Sequence, residues 1–147
     1  MARVHHFEGF SIKKSGINIK VDMSRVEENF NKAQFALDSA VMTSMVPYMP
    51  RRDGSFINRT RAESAAIAGT GEVVAASAPM GRFLYEGKVM VDPVTQSAWA
   101  RKGAKKILTT KSLKYSSAQA RAHWFDAAKQ RDSEHWVQTV KKIAGGG

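Results

Sequence analysis

The 147-residue chain contains no cysteine. This absence excludes a disulfide scaffold, a thiolate zinc site, an iron–sulfur cluster and cysteine catalysis. The sequence also lacks any apolar run near the ~18 residues that span a bilayer, and its N-terminus lacks the apolar stretch of a signal peptide. We therefore expect neither a membrane contact nor a secretion signal.

Acidic residues are scarce as well. The chain has 13 Asp and Glu against 23 Lys and Arg, which gives a net charge of +10. Such an excess of positive charge is informative about binding partners rather than about the fold. The candidate partners are nucleic acid, an anionic surface and an acidic protein. Hydrophobic residues make up 43% of the chain and charged residues 24%, as in ordinary globular proteins. We therefore expect one folded domain over residues 1–147.

Patterns for catalysis are missing from the sequence. Its four histidines show no metal-ligand spacing, and its acids are scattered. His123 and Asp126 would be neighbours on a helix, but a surface hydrogen bond explains that pair more simply than a catalytic dyad does. The Gly69-Thr70-Gly71 run lacks the Gly-Lys-Ser/Thr end of a phosphate-binding loop and is better explained as a turn. We expect no enzyme activity, no metal site and no cofactor.

Two segments have helical periodicity, and the first lies in the N-terminal half. Ser24 and Glu27 have the spacing of a capping box at its start, and Pro47 and Pro50 end it. We expect a sheet to cover its apolar face. That face contains Val26, Phe30, Ala33, Leu37, Ala40, Val41 and Met45.

The second helical segment is C-terminal. Ser116 or Ser117 would cap it, Asp132-Ser133 would break or re-cap it, and residues 144–147 would form a flexible tail. Its aromatic residues lie at helical spacing and are better explained as core anchors than as a base-stacking surface. These anchors are Trp124, Phe125 and Trp136.

Strand patterns are short. Two alanine-rich stretches would pair as a hairpin around Gly69-Thr70-Gly71, and a short helix or turn would precede Gly87 over residues 79–85. The sequence thus predicts an α+β fold. In it a small mixed or antiparallel sheet is packed by the two helices, and a basic loop or hairpin protrudes. Strands are predicted over residues 7–12 (the weakest pattern), 17–21, 62–68, 72–77, 89–91 and 107–110.

Most of the excess charge lies in one segment, which we name the basic arm (residues 88–115). It contains a single acid, Asp92, and accounts for +6 of the net charge. Charge alone leaves three interpretations: contact with DNA phosphates, docking onto an acidic protein surface, or a solvated loop. Trp99 favours contact, because a lone tryptophan in an exposed loop is costly unless it is covered. The basic residues are Lys88, Arg101, Lys102, Lys105, Lys106, Lys111 and Lys114.

Several short motifs follow one another along the chain. They are Val46-Pro47-Tyr48-Met49-Pro50 with Asp53-Gly54-Ser55; Tyr85-Glu86-Gly87-Lys88-Val89-Met90-Val91-Asp92-Pro93 with Thr95; Trp99-Ala100-Arg101-Lys102-Gly103 with Lys105-Lys106; and His123-Trp124-Phe125-Asp126-Ala127-Ala128-Lys129 with Trp136. This order and spacing closely resembles minor capsid proteins of long-tailed (siphovirus-type) bacteriophages, from the head-to-tail connector or neck group. The resemblance covers roughly Ser24 to Ile143. One departure is Met80, which stands where that family usually has the tyrosine of a proline–tyrosine–alanine–arginine stretch.

The resemblance implies a structural virion protein of the phage neck, made in the bacterial host cytoplasm and without catalytic activity. It implies a homo-oligomeric ring, of six or twelve copies, between a portal-side head-closure protein and a tail terminator or tail tube. The basic arm would then face a neighbouring subunit or packaged double-stranded DNA. The alternatives are a sequence-nonspecific DNA-binding module and a transient tail-completion factor. Candidate subunit contacts are Trp99, Tyr85, Arg82 and Tyr48.

Overall fold

The computed structural model describes residues 4–145, which combine helices with two separate antiparallel sheets of two strands each. The α+β class is therefore confirmed. None of the helices in this range is both long and apolar enough to cross a bilayer. In chain order the elements are β1 (Phe10–Lys14), β2 (Ile17–Val21), α1 (Ser24–Met45), a 3-10 turn (Val46–Tyr48), α2 (Ser55–Ala66), α3 (Gly81–Glu86), β3 (Lys88–Val91), β4 (Ile107–Ser112) and α4 (Trp124–Ala144).

The core lies where α1 packs against α4, so the partner of α1 is a helix and not the expected sheet. Trp124 and Trp136 are buried in it, which confirms both as core anchors. Each indole N–H has an acceptor: Trp124 Nε1 donates to the carbonyl of Ala75 at 2.8 Å, and Trp136 Nε1 donates to Ser44 Oγ at 3.0 Å. Phe125 is half-buried and stacks on Trp136, with ring centroids 6.3 Å apart.

Helix α1 ends as predicted but begins differently. It stops at Met45, and Pro47 lies in the 3-10 turn that follows. At its start no side chain caps the helix, so the predicted capping box of Ser24 and Glu27 is wrong. The Glu27 carboxylate instead accepts the backbone N–H of Phe7 at 3.2 Å, which ties the N-terminal segment to the helix.

The predicted hairpin over residues 62–68 and 72–77 is wrong, because the first of these stretches continues helix α2. Alanine favours helix over strand, and the residues that α2 buries recur at helical spacing: Phe56, Ile57, Thr60 and Ser64. Residues 72–77 form no strand and are held to α2 by side chains. Ser64 Oγ donates to the carbonyl of Val74 at 2.9 Å and accepts its N–H at 2.8 Å.

Helix α4 differs from its prediction at its start and in its middle. Neither Ser116 nor Ser117 caps it, because it begins eight residues or so later, at Trp124, after His123 takes a left-handed backbone conformation (φ 51°). It also runs without a break through Asp132-Ser133. Ala144 still belongs to the helix, so the predicted tail begins no earlier than Gly145, and residues 146–147 lie outside the described range.

The predicted short helix before Gly87 is confirmed as α3, and its glycine has a steric reason. Gly87 ends α3 with a φ of +67°, a conformation that favours glycine. A Cβ at this position would lie 2.7 Å from the Cβ of Ala122. The chain can therefore turn from α3 into β3 only because residue 87 has no side chain.

The strand predicted over residues 17–21 is confirmed as β2, whereas the weaker prediction over 7–12 is shifted to Phe10–Lys14. The register pairs Phe10 with Val21 and Ile12 with Ile19, which places their side chains on one face of the hairpin. That face was expected to be half-buried. Instead Ile12 and Ile19 are each about half exposed, and Ile17 beside them is 64% exposed.

Candidate functional site: the basic arm

The basic arm is an antiparallel hairpin with a long connection. Strands β3 and β4 confirm the two strands predicted on either side of Trp99, and the register pairs Met90 with Leu108 and Val91 with Ile107. Residues 93–106, which connect them, are exposed except for the half-buried Ser97 and Ala104. A connection of this length in a small domain usually has a function.

One buried carboxylate orders the connection. Asp92 is fully buried, and its Oδ1 accepts the backbone N–H groups of Val94 at 2.8 Å and Thr95 at 3.2 Å. Its Oδ2 accepts two donors from Arg101, the backbone N–H at 3.0 Å and the side-chain Nε at 2.9 Å. The Arg101 guanidinium and these backbone donors hold the pKa of the Asp92 carboxyl well below its usual value.

The backbone closes the same loop. The N–H of Asp92 donates to the carbonyl of Ser97 at 2.8 Å, and the N–H of Gln96 donates back to the carbonyl of Asp92 at 2.9 Å. Sequence reasoning counted Asp92 only as the one acid of the arm. Its signal was its place directly before Pro93 in a turn, where aspartate commonly accepts the backbone N–H two residues ahead, here that of Val94.

This ordered loop presents Trp99 to solvent. The side chain is 87% exposed, the most exposed large hydrophobic residue of the described chain. Its backbone N–H donates to Ser97 Oγ at 3.1 Å, so the position of the residue is set although its ring contacts little. Ala98 and Ala100 on either side are also exposed. The arm thus displays one indole between two small residues.

The seven basic residues of the arm divide into two groups. Arg101 is paired with Asp92, and Lys88 Nζ donates to Ser112 Oγ at 3.2 Å, so both have partners within the arm. The other five are exposed, and none forms an ion pair with a carboxylate of residues 4–145. We call them the free lysines: Lys102, Lys105, Lys106, Lys111 and Lys114.

The other three candidate contact residues differ from Trp99 in their surroundings. Tyr85 is half-buried, with its ring centroid 4.7 Å from that of Trp124 and 5.0 Å from that of His123. Arg82 is exposed on α3. Tyr48 contacts two guanidinium groups through its ring, with the Cζ of Arg121 4.9 Å and that of Arg131 5.2 Å from the ring centroid. Tyr85 and Tyr48 therefore support the core and its edge, and Arg82 joins Trp99 as an exposed side chain.

The Gly69-Thr70-Gly71 run forms a turn, and its amides are already bound. Asp38 is buried, and its Oδ2 accepts the N–H groups of Gly69 at 2.8 Å and Gly71 at 3.0 Å. Its Oδ1 accepts Gln34 Nε2 at 2.8 Å. A carboxylate of the chain itself occupies the place that a phosphate would take.

The histidine pair singled out in the sequence is a surface contact. His123 Nδ1 lies 4.0 Å from Asp126 Oδ2, and its Nε2 lies 3.4 Å from Glu86 Oε2. All three side chains are exposed to solvent by 43% or more. Across residues 4–145, no three His, Asp or Glu side chains are grouped so that they could hold a metal ion.

Compared with protein-family models, curated proteins and solved structures, the chain matches none. Its function is therefore argued from the basic arm and from the resemblance of its motifs.

Proposed function

We propose that the protein is a structural subunit of the phage head-to-tail connector, where it forms or joins a ring between the portal-side proteins and the tail. The observation that carries this proposal is Trp99, an 87% exposed indole on a loop that a buried carboxylate keeps ordered. The motif order from Ser24 to Ile143 supports it, since it resembles minor capsid proteins of that group.

An ordered loop with an exposed tryptophan is better explained by a protein partner than by solvent. Tryptophan is among the residues that contribute most to protein interfaces when they fill a pocket. A loop whose backbone is ordered before binding loses less entropy when it binds. The network of Asp92 therefore lowers the cost of placing Trp99 in a partner, and a merely solvated loop would have no need of it.

The free lysines fit the same position in a virion. A closed ring repeats them in every copy, which produces a band of positive charge around the axis if the arms face inward. Such a band would attract the phosphate backbone of packaged DNA without reading its sequence.

The proposal is tested in particles of the phage that encodes the chain. We expect mass spectrometry to detect the protein in tailed virions, and a cryo-EM map to place it as a ring between portal and tail. Deleting its gene should give filled heads without tails. Tailed, infectious particles from the deletion, or virions that lack the protein in every layer, would overturn the proposal. Tail-less heads together with virions that lack the protein would indicate the transient completion factor instead.

The second candidate, a sequence-nonspecific DNA-binding module, is favoured by the five free lysines. It predicts that the isolated chain binds duplex DNA and that log K falls with log salt by about 0.9 for each phosphate contacted. Replacing Lys102, Lys105 and Lys106 by Gln should then flatten this slope, while Lys141→Gln with Lys142→Gln, outside the arm, should change it less. If the isolated chain does not bind duplex DNA at low salt, this candidate function is excluded.

A further inference from the structure

A groove of about 540 Å³ lies between α1, residues 71–75, α3 and the first turn of α4. Its apolar walls belong to these four parts of the chain, which the fold brings together. They include Leu37, Val41, Val73, Ala75, Tyr85 and Phe125. Its size falls within the range of pockets that hold small molecules or single large side chains.

The charge around this groove is negative. Asp38 is one of its lining residues, and in the described chain none of those residues is Lys or Arg. Two more carboxylates lie beside the tyrosine wall: the His123 ring is 5.0 Å from that of Tyr85, and its nitrogens lie 3.4 Å from Glu86 Oε2 and 4.0 Å from Asp126 Oδ2. Apolar walls with acids beside them are complementary to an apolar side chain that has cations beside it.

The basic arm has that composition. Trp99 lies between two alanines, which leave the indole room to enter a cavity, and Lys102 and Lys105 follow within six residues. Trp99 is 87% exposed, so it does not occupy the groove of its own chain. An indole that fills this groove must therefore come from another molecule.

We propose that the groove of one copy receives Trp99 of a second copy, with the free lysines of the arm facing Asp126 and Glu86. This inference rests on the proposed function, because it names the contact by which the ring would close. The two surfaces are different parts of the chain, so the contact is heterologous and repeats from copy to copy. Charge complementarity favours a second copy as the occupant, because one chain carries both the groove with its acids and the indole with its neighbouring lysines.

The chain has no native thiol, which allows a specific cross-linking test. Ala100→Cys, which keeps the neighbouring Trp99, and Val73→Cys are made in separate chains, mixed, and treated with a short thiol-specific cross-linker. We expect a heterodimer of the two variants. The matched control is Val137→Cys, which replaces an exposed valine of α4 that does not line the groove. It should react with Ala100→Cys at least about tenfold less. Equal cross-linking to both partners would overturn the inference.

Self-association provides the second measurement. Trp99→Ala should weaken it about 30-fold or more, as expected for a central interface tryptophan. Val137→Ala, an exposed residue outside the groove, should leave it unchanged, and Trp99→Phe should retain part of it. If the wild-type chain stays monomeric in solution, the same cysteine pair is introduced into the phage and cross-linked in purified particles. No heterodimer there would overturn the inference.

The two proposals can fail separately. A ring of this protein in the virion neck without a cross-link between cysteines at positions 100 and 73 would leave the connector function standing and would exclude the groove contact. A heterodimer in solution, from a chain that virions lack, would leave the groove contact and remove the connector function.

Discussion

The carboxylate of Asp92 binds Arg101 twice, through the backbone N–H at 3.0 Å and through Nε at 2.9 Å. One fully buried side chain thus joins the two ends of the loop that carries Trp99. Because of this interaction, the folded arm itself holds the loop that exposes the Trp99 indole. Removing the carboxylate acceptor tests this role of Asp92.

Asp92→Asn should loosen the loop without unfolding the protein. An amide has one acceptor oxygen, so either the donors of Arg101 or the N–H groups of Val94 and Thr95 would face its NH₂ group. We expect amide exchange in residues 92–101 to accelerate about tenfold, because hydrogen bonds to a buried charge are lost. Hydrogen-exchange mass spectrometry measures this, with exchange in α1 and α4 unchanged. Asp22→Asn, at an exposed site that accepts one N–H from Ser24, is the control and should leave the arm unaffected.

The same loop should respond to acid within a defined range. The pKa of Asp92 is lowered in the folded protein, chiefly by Arg101, so its contribution to stability is complete above the ordinary value of 3.8. It is lost as pH falls below 3.8 towards the lower, folded value. We expect exchange protection of the loop to stay constant from neutral pH to about pH 5 and to fall only in stronger acid.

An NMR titration of the Asp92 carboxyl carbon measures this pKa directly. Arg101→Gln should move the midpoint upwards, towards 3.8, because the charged donor is removed. A midpoint that is the same with and without the guanidinium would contradict the assigned cause.

Ser44→Ala should destabilise the core. Ser44 Oγ accepts Trp136 Nε1 and its hydroxyl also interacts with Asp132, so alanine leaves a buried indole N–H without a partner. We expect a loss of about 1–3 kcal/mol in the free energy of unfolding. Arg131 and, secondarily, Ser44 lower the pKa of Asp132 to about 2, and the variant should raise that pKa. Urea denaturation measures the first effect, and Ser39→Ala on the exposed side of α1 should be neutral.

Asp38→Ala should destabilise the turn beside the groove by about 1–3 kcal/mol, because the N–H groups of Gly69 and Gly71 lose their acceptor. Asp38→Asn should cost much less. Its single oxygen can face both glycines once the Gln34 amide turns over to accept from the new NH₂ group. Thermal unfolding compares the two variants, and equal losses would show that charge, rather than the acceptor, holds the turn.

Local sequence patterns predicted the elements that depend on interactions between residues close in sequence. The apolar repeat of α1 and the prolines after it gave the end of that helix, and the short apolar runs around Trp99 gave strands β3 and β4. The burial of Trp124 and Trp136 also followed from spacing, since helical periodicity places them on an inward face.

The starts of the two long helices and the groove depend on contacts or backbone conformations that local sequence patterns do not show. Ser24 is the first residue of α1 and not its cap, and the Glu27 carboxylate binds the N-terminal segment. The start of α4 at Trp124 depends on the left-handed backbone of His123, a conformation that no sequence pattern marks. The groove could not be predicted, since its walls come from four separate segments of the chain. Only Trp99 and the lysines of the candidate site were visible in the sequence.

The amphipathic hairpin of β1 and β2 affects how molecules of the protein behave in concentrated solution. Each of its strands has an unpaired edge, and its isoleucines face outwards, which are features that promote stacking of one molecule on another. Lys14 lies on this face opposite Ile17, Lys13 and Lys20 lie on the other face of the hairpin, and the repulsion between these lysines of two copies opposes such stacking. Concentrated salt weakens that repulsion, so a preparation should cloud as ionic strength rises and clear again on dilution.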